Sequence, residues 1–89
     1  MIKEIEKLIK DVEDCYNAKE IEFSEELNSY RISHLQHRKK AINEFIKECK
    51  DYNDRWKSIT QNEQIKAFKL LKEKAAKIID ETKNPINKI

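Results

Sequence analysis

The feature that most constrains this chain is the absence of glycine, together with a single proline at position 85. Tight hairpin turns need residues at positive φ, which glycine adopts at least cost, and strands are usually bounded by glycine or proline. Apolar residues recur at steps of three and four rather than in alternation, and charged residues make up 40% of the chain. This pattern predicts an all-α protein.

Three apolar stripes run along the chain in different phases. Their members are Ile2, Ile5, Ile9, Val12, Tyr16, Phe23 and Leu27 in the first, Leu35, Ile42, Phe45, Cys49, Tyr52, Trp56 and Ile59 in the second, and Ile65, Phe68, Leu71, Ala75, Ile78 and Ile79 in the third. Stripes of this kind are typical of amphipathic helices. We predict a three-helix antiparallel bundle with helices at about 2–28, 34–57 and 61–83.

A single helical domain is expected over residues 1–84. The residue before a proline is pushed out of the α region, so the third helix should stop before Pro85. Residues 85–89 are then expected to form a frayed tail.

The boundary between the first two helices has conflicting signals in the sequence. The segment from Ser33 to Gln36 has the form of a capping box, which predicts a turn at 29–33. Acidic residues at 20–26 and Arg31 oppose this turn, because each charge would lie at the unfavourable end of a helix dipole. Two alternatives therefore stay open. One is a turn placed earlier, with Ser24 as N-cap. The other is a continuous helix, giving a long hairpin or coiled coil that dimerises.

The second boundary has a stronger signal. Thr60 and Glu63 form a capping box of the T-x-x-E type after a polar segment, so the third helix is predicted to begin at residue 61.

Charge is unevenly distributed, although the formal net charge is only +2. Residues 1–30 carry a formal charge of −5, and the remaining residues carry +7. The simpler interpretation is that an acidic first helix complements the rest of the molecule. The alternative is a basic face for an acidic partner.

Trp56 is the candidate anchor for a protein partner. It lies beside charged residues near a helix end, where a partly exposed tryptophan can dominate an interface. Tyr52, Arg55 and Tyr30 complete the predicted partner-binding set.

A basic segment supplies the alternative site, for nucleic acid. Its members combine cationic and stackable side chains, as phosphate and base contacts require; they are Arg31, His34, His37, Arg38, Lys39 and Lys40. The two histidines are three residues apart, but the surrounding cations disfavour a divalent metal. We expect neither a metal nor a cofactor.

The sequence resembles no family closely enough to name one. Without glycine-containing loops to bring backbone amides to a substrate, enzymatic activity is not expected. The favoured hypothesis is a non-enzymatic protein-interaction module that acts by helix-face docking. Its role would be that of an adaptor, an inhibitor or an immunity- or antitoxin-like regulator, and a homodimer is a further hypothesis.

The chain shows no signal peptide or apolar span, so we expect a cytoplasmic protein without a membrane partner. Cys15 and Cys49 are expected to be free thiols.

Overall fold

A computed structural model describes residues 2–84. It consists of α1 (Lys3–Glu25), α2 (Ser29–Arg55), a 3-10 turn (Trp56–Ser58) and α3 (Gln61–Lys83). The Ile2 amide donates to Asn53 Oδ1 at 2.8 Å, and the Cys15 thiol lies 3.9 Å from the Ile79 carbonyl oxygen. These contacts place α2 antiparallel to α1 and α3 parallel to it. The predicted all-α, three-helix antiparallel bundle is confirmed.

The core lies along the axis of the bundle, where the three stripes meet. Its buried members come from all three helices: Ile5, Val12, Ile42, Phe45, Cys49, Leu71, Ala75 and Ile78. Burial among these side chains raises the pKa of the Cys49 thiol to about 11, and the nearby Glu48 carboxylate adds to the shift. Cys15 and Cys49 are both free thiols.

The turn between α1 and α2 lies earlier than predicted, so the interpretation of Ser33 as a cap is wrong. Ser33 lies inside α2, and α2 begins at Ser29. The residue that caps α2 is Asn28, whose Oδ1 accepts from the Arg31 amide at 3.1 Å. The asparagine side chain accepts from a first-turn amide that has no partner within the helix. Ser33 would make the same bond if α2 began about five residues later.

The two alternatives for this boundary are also wrong. Ser24 lies inside α1 and is not an N-cap, and the chain is not helical at 26–28, so α1 and α2 are not one continuous helix.

The end of α1 has the hydrogen bonds of a Schellman motif. The Asn28 amide donates to the Phe23 carbonyl at 3.4 Å, and the Leu27 amide donates to the Ser24 carbonyl at 3.2 Å. Leu27 takes the left-handed position with φ 54°, where glycine is usual. The charge conflict at this turn is reduced because Arg31 pairs with Glu26 at 3.4 Å.

The start of α3 at Gln61 is as predicted. The Glu63 amide donates to Thr60 Oγ1 at 3.2 Å, so Thr60 is the N-cap. Just before it, the Ser58 hydroxyl donates to the Arg55 carbonyl at 2.9 Å and closes the 3-10 turn.

Ion pairs between helices connect α2 to α3. Arg38 lies 2.8 Å from Glu81, and Lys74 lies 2.8 Å from Glu48. Within residues 2–84, the pairs of α1 itself are internal, Lys7 with Asp11 and Lys19 with Glu22. The acidic charge of α1 is therefore presented largely at the surface rather than matched by basic residues of the neighbouring helices.

The described part of the chain is elongated, at 47 × 24 × 15 Å. None of its helices combines the length and the apolar character needed to cross a bilayer. The expected frayed tail at 85–89 lies outside the described residues.

Candidate partner-binding surface

An open apolar groove of about 640 Å³ lies between the beginning of α1 and the first half of α3. We call it the Trp56 groove. Its apolar lining consists of Ile2, Ile5, Trp56, Ile65 and Phe68. Its polar rim consists of Glu4, Gln61, Gln64, Lys69, Lys72 and Glu73.

Hydrogen bonds hold the floor of this groove in place. The Gln64 side-chain amide donates to the Trp56 carbonyl at 2.7 Å, which ties the 3-10 turn to α3. The bond from the Ile2 amide to Asn53 fixes the beginning of α1 against the end of α2. Trp56 is half-buried, with its ring packed on the edge of the core. The groove is thus built from three anchored segments.

Ile65 is the exposed apolar residue in this groove, at 61% exposure. Cys15 lies level with Ile79, so the first residues of α3 extend past the point where α1 begins. Ile65 precedes the fully buried Leu71 by six residues, which places it about 120° round the axis of α3 at about 3.6 residues per turn, so its side chain lies at the side of the bundle and not in the core.

The two walls of the groove carry opposite charge. Lys69 and Lys72 lie on the α3 wall with Glu73, whereas Glu4 lies on the α1 wall. Among the described residues, none of these four takes part in an ion pair. Their charges are therefore available to a molecule that enters the groove.

The structure separates the predicted partner-binding residues. Tyr52 and Arg55 lie at the same end of the molecule as Trp56, with the guanidinium 4.9 Å from the tyrosine ring centre. They line a smaller groove between α2 and α3. Tyr30 lies at the opposite end of α2, about 39 Å away at about 1.5 Å per residue. Only Trp56 belongs to the Trp56 groove.

Sequence reasoning missed Ile65, Phe68 and Ile2 as surface residues. All three occupy stripe positions, so their pattern is the same as that of core residues. For Ile65 and Phe68 a signal is the angle from Leu71, since they lie six and three residues before it and so about 120° and 60° round the axis of α3.

The basic segment is used largely inside the molecule. Arg38 pairs with Glu81, His34 Nε2 donates to the Glu81 carbonyl at 3.0 Å, and Arg31 lies over the Phe23 ring at 5.4 Å. His37 Nδ1 donates to the carbonyl of Ser33 at 2.9 Å. Of the six predicted nucleic-acid contacts, Lys39 and Lys40 are exposed without such a partner among residues 2–84.

The described residues contain no group of three or more His, Cys, Asp or Glu side chains that could hold a metal ion. Comparison of the chain with protein-family models, with curated proteins and with solved structures found no match.

Proposed function

We propose that this chain is a non-enzymatic protein-interaction module that docks an amphipathic helix of a partner protein in the Trp56 groove. The observation that carries the proposal is an open apolar groove in which Ile65 is 61% exposed beside the half-buried Trp56. Exposed apolar surface rimmed by polar residues is typical of interaction sites.

The dimensions of the groove suit a helix. Its α3 wall extends from Gln61 to Glu73, which is about 18 Å at about 1.5 Å per residue and corresponds to roughly three helical turns. Trp56 and Phe68 offer large rings of the kind that anchor interfaces, and Ile65 adds aliphatic surface.

The rim charges define the edges of the docked helix. An acidic edge would face Lys69 and Lys72, and a basic edge would face Glu4. Charge pairs at a rim contribute to orientation and association rate more than to affinity.

The role as adaptor, inhibitor or immunity- or antitoxin-like regulator, the cytoplasmic location and the homodimer remain predictions. Sedimentation equilibrium of the purified chain tests the homodimer. The nucleic-acid alternative has less support, because Arg31, His34 and Arg38 are held by contacts within the bundle.

The test uses a designed helix of about 18 residues, or five turns, with leucines on one face, glutamates along one edge and lysines along the other. Trp56 is the single tryptophan of the chain, so its emission reports binding in the Trp56 groove. We expect saturable binding that changes this emission. Ile65→Ser should weaken binding about tenfold or more, because an apolar side chain of this size contributes roughly 1.5 to 3 kcal/mol when buried.

Ile21→Ser is the matched control, since Ile21 is also 61% exposed but lies at the other end of α1. It should leave the affinity unchanged. Binding without a change in Trp56 emission, or an equal loss in both variants, would contradict the proposal.

A further inference from the structure

A second apolar groove, of about 490 Å³, lies between the end of α1 and the beginning of α2. We call it the Ile21 groove. Its lining consists of Tyr16, Glu20, Ile21, Ser24 and Glu25 from α1 and Ile32, Leu35 and Gln36 from α2. It faces away from α3, because the residues of α2 that contact α3 in this region are His34 and Arg38.

Ile21 adds exposed apolar surface to this groove. It is 61% exposed, whereas Leu35 at the groove floor is buried. Ile32 is half-buried beside it. The apolar floor is therefore continuous with an aliphatic side chain that no described part of the chain covers.

The charge of the Ile21 groove has one sign. Glu20 and Glu25 are the charged residues in its lining. The neighbouring acids are already paired, Glu22 with Lys19 and Glu26 with Arg31. Within residues 2–84, neither Glu20 nor Glu25 has an ion-pair partner. Two uncompensated carboxylates thus flank the apolar floor.

The acidic surface continues along α1 toward its middle. Glu13, Tyr16 and Glu20 line the adjoining cleft together with one cation, Lys39. Burial raises the pKa of the Tyr16 hydroxyl, and the negative charge of Glu20 adds to this effect. The tyrosine therefore stays protonated and adds no charge to the groove.

We propose that the Ile21 groove is a second docking site, which binds a basic amphipathic helix of a protein partner. The apolar face of that helix would cover Ile21 and Ile32, and its lysines or arginines would face Glu20 and Glu25. Along α2 this site lies about 36 Å from the Trp56 groove at about 1.5 Å per residue. The inference goes beyond the proposed function, because the two sites can be occupied independently.

The test uses the same leucine-faced helix with lysines along both edges, added to the full chain with labelled isoleucine methyl groups. We expect chemical-shift changes at Ile21 and Ile32 and unchanged Trp56 emission. Ile21→Ser should weaken binding at least tenfold. The Glu20→Gln, Glu25→Gln double variant should weaken binding and reduce its dependence on salt.

Two controls separate this site from general charge attraction. Ile65→Ser should bind the lysine-edged helix as the unaltered chain does, and a helix with glutamates along both edges should leave the Ile21 and Ile32 methyl signals unchanged. Circular dichroism should show that both isoleucine variants stay folded, since both side chains are largely exposed.

The outcomes distinguish this inference from the proposed function. Equal binding of the lysine-edged helix to the Ile21→Ser variant would overturn the second site, because the attraction would then need no apolar floor. Binding that shifts Trp56 emission and is lost in Ile65→Ser would also overturn it while supporting the Trp56 groove. Binding that depends on Ile21 supports the second site even if the split-charge helix fails to bind at Trp56.

Discussion

Leu27 occupies a backbone conformation that its side chain disfavours. Its φ of 54° lies in the left-handed region, and the side chain is 83% exposed, so it gains little from packing. The cost of this conformation for a residue with a Cβ atom is about 1 to 2 kcal/mol. The Schellman hydrogen bonds around it require the conformation but not the leucine.

We expect Leu27→Gly to raise the free energy of unfolding by about 1 kcal/mol, after allowing for the greater freedom of glycine in the unfolded chain. Urea denaturation followed by circular dichroism measures this change. Leu27→Ala is the control, because it removes the same exposed side chain and keeps the Cβ atom. If alanine stabilises the chain as much as glycine, the gain comes from loss of the exposed side chain and not from the backbone.

At the level of single elements, the beginning of α2 depends on one side chain. Asn28 Oδ1 accepts from the Arg31 amide, and the acidic residues that would favour a helix start are missing from the first turn of α2. The N-terminus of α2 therefore depends more on the Asn28 cap than a helix N-terminus that also has acidic residues in its first turn.

Asn28→Ala is expected to lower the free energy of unfolding by about 1 kcal/mol, the usual value for loss of an N-cap. Ser33→Ala should have almost no effect, because Ser33 is exposed inside α2. Thermal denaturation of both variants shows whether α2 begins after Asn28 or after Ser33. A larger loss from Ser33→Ala would mean that α2 begins where the capping-box pattern placed it.

For the whole molecule, the bundle is long and thin. Its radius of gyration is 14.8 Å, against about 12 Å for a compact domain of this length. A thin bundle has a narrow core, and its main buried cluster combines side chains from all three helices. Adjacent residues of α3 can therefore differ widely in their contribution to stability.

Leu71→Ala should lower the free energy of unfolding by about 2 to 5 kcal/mol, because Leu71 is fully buried and its removal leaves a cavity. Leu70→Ala should cost much less, since the Leu70 side chain is 39% exposed and lies about 100° round the helix axis from Leu71, in the groove between α2 and α3. Both values come from urea denaturation. Similar losses for the two variants would contradict the placement of the core.

Signals that act within a few residues of each other in the sequence determined where the helices form. The spacing of Ile5, Val12, Phe45 and Leu71 identified core positions, and the Thr60 cap fixed the start of α3, because these signals act within a few residues. The cap at Asn28 was missed because asparagine and serine can accept the same hydrogen bond from a first-turn amide, so residue type alone does not choose between Asn28 and Ser33.

Only the tertiary structure decided which stripe residues face solvent. Ile65 has the spacing of a stripe residue, yet it is as exposed, at 61%, as Ile21, which lies off the first stripe. Burial depends on whether a neighbouring helix extends far enough to cover a position, and that depends on how the helices are offset along the bundle axis. Periodicity describes one helix at a time, so the amphipathic faces followed from the sequence, whereas the two grooves followed from the packing.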